Sequence, residues 1–495
     1  MKYKFLFFFI ILLTFVLRCY RVWNLPHDLY IDEVSIGVNA NSILRTGRDE
    51  HNVRFPLYFE SFGEYKLPIY IYSTSLSTAV FGKTPLAVRL PSVISGTATA
   101  AVLILLAALL SKNRKLSLLT GFILAVTPWH IQFSRAGFEA NMALLFVSAG
   151  VYALVLGFEK NYYLIISLIL FLLSFFTYLS ARIFLPLFLM IFLVWQRKKA
   201  WEITKKKSVF IIIFLILLIP VLFNSLTPQA LIRARSVSFI REVKANPDTF
   251  FSDKTLLTIE QFFKNYLKNY SLEFLFFIGD GNGRHGTREL GGLFLWQLPF
   301  LIIGLSKASK SKLMLFWLLL APIPAAVSLP NPHALRSLML VAPLSYFTGA
   351  GVQQFFRNQN FKKFRLIVLF ELICVYFLFL YLHVYFVHYP KRTDPDWSGG
   401  YREAIEYVSS RVNNYDTVFI TDKMEKIYLY YYGNPPAGKE AGKITAKYTF
   451  VSSPFQESPE GRVLYLSPYW EKWHGKLVSE IKNKGGDLVF NIWEN

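Results

Sequence analysis

Apolar side chains run almost unbroken at 5–17, and the pattern returns at 85–110, 116–127, 140–158, 163–177, 183–195, 209–223, 293–305, 313–329, 338–352 and 366–388. Polar residues gather in the intervals rather than on one face of each run, as expected of helices solvated by lipid. About eleven spanning helices are predicted on this pattern. Several runs fall short of the ~20 residues that a perpendicular span needs, so tilted helices and loops that dip inward are expected as well.

The intervals alternate in chemistry. Those at 111–115, 160, 196–207, 306–312 and 353–365 are short and basic, with Lys112, Arg114, Lys115, Lys160, Arg197, Lys198, Lys310 and Lys363 among their residues. Lys and Arg in every second short loop is the positive-inside pattern, which places the N-terminus inside and, for an odd number of spans, the C-terminus outside. The formal net charge of +21 and the pI near 9.7 therefore reflect attraction to anionic headgroups. No basic amphipathic face is present to bind nucleic acid, and nucleic acid is not an expected partner.

Composition agrees: 54% of residues are hydrophobic and the mean hydropathy is +0.37, above the usual share of a soluble chain. The opening Met-Lys-Tyr-Lys and its short apolar run resemble a signal peptide, but Arg18 and Arg21 follow where small residues should mark a cleavage site. With Tyr3, Tyr20 and Trp23 at its flanks, the run reads as a retained first helix. Cys19 and Cys374 are the two cysteines, one ending the first run and one inside the last, so neither a disulfide framework nor a cysteine metal site is expected.

Three non-cytoplasmic segments are long or chemically dense. Residues 18–84 mix proline, aromatic and charged residues with weakly amphipathic stretches, as for helices lying along a membrane surface. Residues 224–292 form a second polar excursion. Beyond 393 the composition becomes that of a soluble domain, with a helix predicted over 401–412 and strands over 417–421, 463–466 and 487–492. The predicted organisation is a membrane domain over 1–390 and a small extracytoplasmic α/β domain over 391–495.

Chemistry-bearing residues collect on the outer side. Asp32 and Glu33 stand together shortly after the first span, an expensive place for an anionic pair unless it meets cations or works in catalysis; they also suit the start of a helix over 34–44. Lys66 follows in Gly63-Glu64-Tyr65-Lys66-Leu67-Pro68, and Arg89 in Val88-Arg89-Leu90-Pro91-Ser92. Either cation suits an interfacial anchor as well as a ligand contact. In the next outer loop, Arg135 and Glu139 are spaced for an i,i+4 ion pair on a helix, alongside any role in binding. His333 and Arg336 lie in Asn331-Pro332-His333-Ala334-Leu335-Arg336; His333 suits phosphate binding or a helix cap.

In their order and sidedness, the acidic pair, the Tyr-Lys-x-Pro element, the Arg-Leu-Pro-Ser element and the Pro128-Trp129 to Ser134-Arg135 stretch ending at Glu139 resemble the GT-C membrane glycosyltransferases. They are most similar to glycosyltransferase family 39, which includes protein O-mannosyltransferases and the aminoarabinose transferases of lipid A. The likeness is best over 20–150, looser to 343 and absent beyond 393. It implies a polytopic α-helical, GT-C-like fold and inverting transfer of a sugar from a polyprenyl-phosphate donor to an acceptor hydroxyl outside the membrane. It also implies Asp32 as the catalytic carboxylate, with Glu33 beside it and Glu139 as the second-loop acid. The MIR-type domain of eukaryotic protein O-mannosyltransferases has no counterpart, which counts against the protein among the lipid, glycan and protein acceptors that the resemblance implies.

The residue types suit that reaction on independent grounds. A hydroxyl attacking an anomeric carbon needs a base such as Asp32, and a departing lipid phosphate needs fixed cations, for which Lys66, Arg89, Arg135 and Arg336 are candidates together with His333. A divalent cation held by Glu139 or by the Asp32-Glu33 pair is an alternative aid to the phosphate, and no clustered metal motif decides for or against it. Two rival functions remain at this stage. A transporter or flippase of lipid-linked sugars is expected to place ionisable residues at the bilayer midplane, where Glu371 is one of few. An oligosaccharide transferase or surface-polysaccharide polymerase would share the architecture and move a larger donor.

Overall fold

In the computed structural model the apolar runs are helices, and the structure describes residues 2–62, 64–198, 218–219, 223, 227, 235–243, 254–357, 363–433, 447–452 and 461–495. Among the described residues, Pro85–Ser111, Glu139–Gly157 and Phe364–Arg392 are long and apolar enough to cross a membrane. A fourth crossing exists if Arg114–Val126 and Pro128–Ser134, bent by 62° at Thr127, form one broken span. Tyr162–Phe175 and Leu179–Trp195 are shorter apolar helices, and Lys2–Cys19 holds the first run. Leu372, Val375 and Phe379 are each more than 60% exposed on the last long helix, an apolar surface that only lipid or another apolar partner covers well.

Other expected spans are realised in pieces. The 293–305 run gives the short helix Gln297–Leu305, 313–329 divides into Lys312–Leu320 and Ile323–Ala326, and 338–352 becomes a 3-10 turn followed by Val341–Arg357. Most of the expected span at 209–223, all but 218–219 and 223, and most of the basic interval before it lie outside the described residues.

By contacts the chain divides into two units, one of residues 1–20, 56–73 and 89–382, the other of residues 21–55, 74–88 and 383–495. Within the first unit, Gln297–Leu305 and Val341–Arg357 approach until a Cβ on Gly304 would collide with the Phe347 carbonyl and one on Gly351 with the Phe300 carbonyl. Small residues at such a crossing let backbones touch, the contact that holds helices together where no hydrophobic force separates them from lipid.

Two arginines secure the broken span. Pro128 has no N–H for the Leu124 carbonyl four residues back, so the helix cannot continue and its last carbonyls need other donors. The fully buried Arg18 supplies them, donating to the oxygens of Leu124 at 3.2 Å and Ala125 at 3.0 Å. Arg135, just past the short helix, returns the service: it donates to the carbonyls of Leu17 at 2.9 Å, Arg18 at 3.2 Å and Tyr20 at 2.8 Å, where the first helix ends. Each guanidinium thus sits at a helix C-terminus, where positive charge is favoured.

In the second unit, a five-stranded sheet has the order β4-β3-β5-β7-β6, with β3 Thr417–Thr421, β4 Tyr448–Val451, β5 Val463–Pro468, β6 Lys476–Lys482 and β7 Leu488–Glu494. The strand pairs β3–β4 and β3–β5 are parallel, whereas β5–β7 and β6–β7 are antiparallel. Every residue of β5 is buried, as expected of a strand covered on both faces. Helices Tyr401–Arg411 and Lys426–Tyr432 accompany the sheet, and the Ile31–Thr46 helix of the first outer segment joins the same unit. Gly37 of that helix lies against the Tyr431 ring so closely that a Cβ would collide with it.

Candidate functional site

The acidic pair occupies the first turn of the Ile31–Thr46 helix, whose N-cap is Tyr30 with extended backbone. The helix starts earlier than the sequence alone indicates, so Asp32 and Glu33 charge the positive end of the helix from inside it instead of capping it. Their environments differ. Glu33 is fully buried, whereas Asp32 is half-buried and so remains accessible. Tyr30 packs edge-on to Trp397 with ring centres 5.4 Å apart, and Gly37 meets Tyr431, so the helix is gripped at two places by the C-terminal part of its unit. Burial pushes the Tyr428 phenol above its ordinary range, and the charge of Asp32 adds to the effect.

The other expected residues belong to the first unit. Lys66 is half-buried in a small antiparallel ribbon of β1 Phe59–Ser61 and β2 Glu64–Lys66. Arg89 is fully buried near the start of Pro85–Ser111, and Arg135 is fully buried with the three carbonyl contacts described above. Glu139 opens the Glu139–Gly157 helix, half-buried in its first turn. A helix break between Ser134 and Glu139 separates it from Arg135, so the i,i+4 spacing does not lie on one continuous helix. The break coincides with Ala136-Gly137, which follows a helix already ended at Arg135.

His333 and Arg336 lie in a turn that meets an unexpected partner, the glycine-rich loop at 279–288. Asp280 organises this meeting. One of its oxygens accepts from the Asn282 N–H at 3.0 Å, and the other accepts from the Ala334 N–H at 2.8 Å and lies 2.6 Å from His285 Nδ1. The His285 and His333 rings are 4.9 Å apart, and Phe133 packs on His285 at 5.4 Å. Trp129 and Gln132 complete a pocket there: Trp129 Nε1 donates to the Ala334 carbonyl at 3.2 Å, and Gln132 Nε2 to the Arg284 carbonyl at 2.7 Å.

Electrostatics distinguish the three titratable groups. Burial pushes the Asp280 carboxyl up, but the His285 hydrogen bond and charge, with two backbone N–H donors, hold it below its ordinary range. His333 is pushed down by burial first and then by the charges of His285 and Arg336. It is therefore a neutral imidazole near pH 7, and its buried Nδ1 has no hydrogen-bond partner. Arg336 donates to the Leu329 carbonyl at 2.7 Å. Donor atoms of Asp280, His285 and His333 all lie within 4.8 Å of one another, so this group can hold a metal ion.

Sequence reasoning missed Asp280 and His285. Their signal is an acid and an imidazole five residues apart among the glycines of Gly279-Asp280-Gly281-Asn282-Gly283-Arg284-His285-Gly286, a composition unsuited to a regular element. Proximity to His333 was not readable, because 48 residues separate the two histidines (333 − 285 = 48).

Comparison with known proteins agrees with this architecture. Residues 66–223 match the family described as dolichyl-phosphate-mannose-protein mannosyltransferase. No curated protein matches the chain. Among solved structures, ArnT from Cupriavidus metallidurans bound to undecaprenyl phosphate is similar over 100% of this chain and 98% of its own, with a TM-score of 0.60 and 11% identity. The Archaeoglobus fulgidus oligosaccharyltransferase in complex with Zn and sulfate is similar over 93% of this chain and 67% of its own, with a TM-score of 0.54 and 10% identity. The archaeal oligosaccharyltransferase AglB from Archaeoglobus fulgidus, in complex with an inhibitory peptide and a dolichol-phosphate, gives 94% and 69%, with a TM-score of 0.51 and 13% identity. The chain is thus a polytopic α-helical membrane protein with a GT-C-like fold and a small C-terminal α/β domain.

Proposed function

We propose that this protein is a glycosyltransferase that moves a sugar from a polyprenyl-phosphate donor to an acceptor hydroxyl on the outer face of the membrane. The observation that carries the reading is the match of 66–223 to a family named for a lipid-phosphate sugar donor, joined to a fold likeness that spans the whole chain. The structures named above for undecaprenyl phosphate and dolichol-phosphate support a lipid-linked donor.

Asp32 is the base in this reading. The acceptor oxygen bonds to the anomeric carbon as its proton passes to the Asp32 carboxylate, while the bond from that carbon to the phosphate oxygen breaks and polyprenyl phosphate leaves. A single displacement of this kind inverts the anomeric centre. Accessibility favours Asp32 over the fully buried Glu33, whose charge supports the helix start. Lys66 and Arg336 are assigned to the phosphate, with Arg89 a further candidate cation and Glu139 the second-loop acid; fixed cations in a poorly hydrated site stabilise developing charge strongly. Arg135 is assigned to the framework, because its guanidinium already serves three helix-end carbonyls.

For the divalent cation, Asp280, His285 and His333 fit better than the acidic residues read from sequence. One carboxylate and two imidazoles are a common Zn2+ donor set, and the partnerless buried Nδ1 of His333 is available to a ligand. When bound there, the ion supplies positive charge to a phosphate oxygen.

The test is transfer itself. Purified protein is incubated with radiolabelled polyprenyl-phosphate sugars and polyprenyl-diphosphate oligosaccharides in the presence of membrane extract. Labelled product from a monophosphate donor supports the reading; transfer from oligosaccharide donors alone would assign an oligosaccharide transferase. Movement of donor across vesicles without product would assign a flippase.

A further inference from the structure

The second unit holds a buried charge cluster that the proposed reaction does not use. Asp28 and Asp394 are each 1% exposed, and Glu403 is half-buried beside them. His27 stands between: its Nδ1 lies 3.4 Å from Asp28 Oδ2 and 3.6 Å from Asp394 Oδ1. Arg402 Nη2 lies 2.9 Å from the other Asp28 oxygen. Among the described residues these carboxylates gather around one imidazole and one guanidinium in a place largely withdrawn from water. Buried charge of that kind persists only when it is paired or ligates a cation.

Two features show what completes the cluster. Asp394 Oδ2 accepts from the Lys484 N–H at 2.6 Å, which fixes the carboxylate and leaves Oδ1, buried and without a hydrogen-bond partner, turned toward His27. Glu403 Oε2 is likewise buried without a partner. The His27 separations of 3.4 and 3.6 Å also exceed ordinary hydrogen bonds. They match another spacing: two ligands each ~2.1 Å from a tetrahedral ion stand about 3.4 Å apart.

We propose that His27, Asp28, Asp394 and Glu403 form a divalent-cation site of the Zn2+ or Mn2+ class, which ties the segment entering the Asp32 helix to the C-terminal domain. One imidazole with carboxylate oxygens is the donor set such ions accept. The donor atoms of His27, Asp28 and Glu403 already lie within 4.8 Å of one another, close enough to share one ion after small side-chain shifts. Asp28 stands only four residues before Asp32 (32 − 28 = 4), so fixing the first limits where the second can stand. This consequence for transfer rests on the assignment of Asp32 above, whereas the site itself does not.

The test uses full-length protein, stripped with chelator in detergent and titrated with Zn2+, with Mn2+ and, as a hard-cation control, with Ca2+. The Asp280 group is silenced by a His333→Ala background, so that one site is read. Zn2+ or Mn2+ should bind at one ion per chain and raise the Tm. Asp394→Asn and, separately, Glu403→Gln should weaken that binding at least 10-fold while circular dichroism stays that of the parent. Asp32→Asn should bind the ion as the parent does and, made separately in the wild-type chain where His333 is intact, should lose transfer; if it kept transfer there, the catalytic reading would fail and the cation site would stand. Binding by Glu403→Gln and Asp394→Asn as tight as the parent's, or no saturable Zn2+ or Mn2+ binding by the parent, overturns the proposal.

Discussion

The Arg402 guanidinium lies 2.9 Å from the Asp28 carboxylate, so the helix that opens the C-terminal domain is joined to the segment leading into the Asp32 helix. Asp28 is almost wholly buried, so removing the Arg402 guanidinium weakens the compensation of a buried charge. Arg402→Met in chelator-treated protein should therefore lower stability by about 3 kcal/mol. The double variant Asp28→Asn with Arg402→Met should recover part of it. Thermal denaturation in detergent reads both, and a single variant as stable as the wild type would remove the pair from the account.

Arg135 gives a prediction that separates framework from phosphate binding. Three of its hydrogen bonds go to the carbonyls that end the first helix, so Arg135→Met should cost several kcal/mol of stability at about 1.5 to 3 kcal/mol per charged hydrogen bond, moderated where water replaces a donor. Donor KM in the protein that folds should be unchanged. A normal Tm with a weakened donor KM would return Arg135 to the phosphate site.

Close helix crossing in the first unit sets another expectation. Gly351→Leu would drive a side chain into the Phe300 backbone, which cannot give way as a flexible side chain does. Overpacking should cost about 1 to 3 kcal/mol or more and leave a poorly monodisperse protein on size-exclusion chromatography. Gly82→Ala, whose added Cβ would meet nothing within 4 Å but whose φ is +68°, should show only backbone strain and a smaller loss.

Lys66→Met and Arg336→Met should keep expression, because the apolar stem can still pack. Apparent donor affinity should weaken by about 1.5 to 3 kcal/mol for each, with acceptor affinity little changed. Arg336→Lys should restore only part of the loss if two oxygens are held at once. Wild-type donor binding in both Met variants would make these residues structural, and the phosphate would then have to be held elsewhere.

What could be read from sequence follows from the range of the interaction responsible. The strand Thr417–Thr421 declares itself through a short apolar run between turn residues, and the structure gives the same bounds. β6 was missed because Lys-Leu-Val-Ser-Glu-Ile-Lys has mostly exposed or half-exposed positions, the pattern of a sheet edge whose partner is supplied by the hairpin with β7. Lys426–Tyr432, with four tyrosines among its seven residues, has the composition of a strand, yet tertiary packing on Gly37 makes it a helix. Spacing suggested an Arg135–Glu139 helical pair, but the helix ends at Ser134 and the next begins at Glu139. The pairing of Asp28 with Arg402 and of His285 with His333 depends on chain segments far apart in sequence, which no local pattern encodes.

Asp32→Asn tests the central claim most directly. The change preserves shape and removes the charge that accepts the acceptor's proton, while the helix start keeps Glu33. With a radiolabelled polyprenyl-phosphate sugar that the wild-type protein uses, kcat should fall by about 100-fold or more, donor binding should persist, and Glu33→Gln should be milder. Turnover in Asp32→Asn equal to that of the wild type would contradict the assignment and move the base elsewhere, with Glu139 the next candidate.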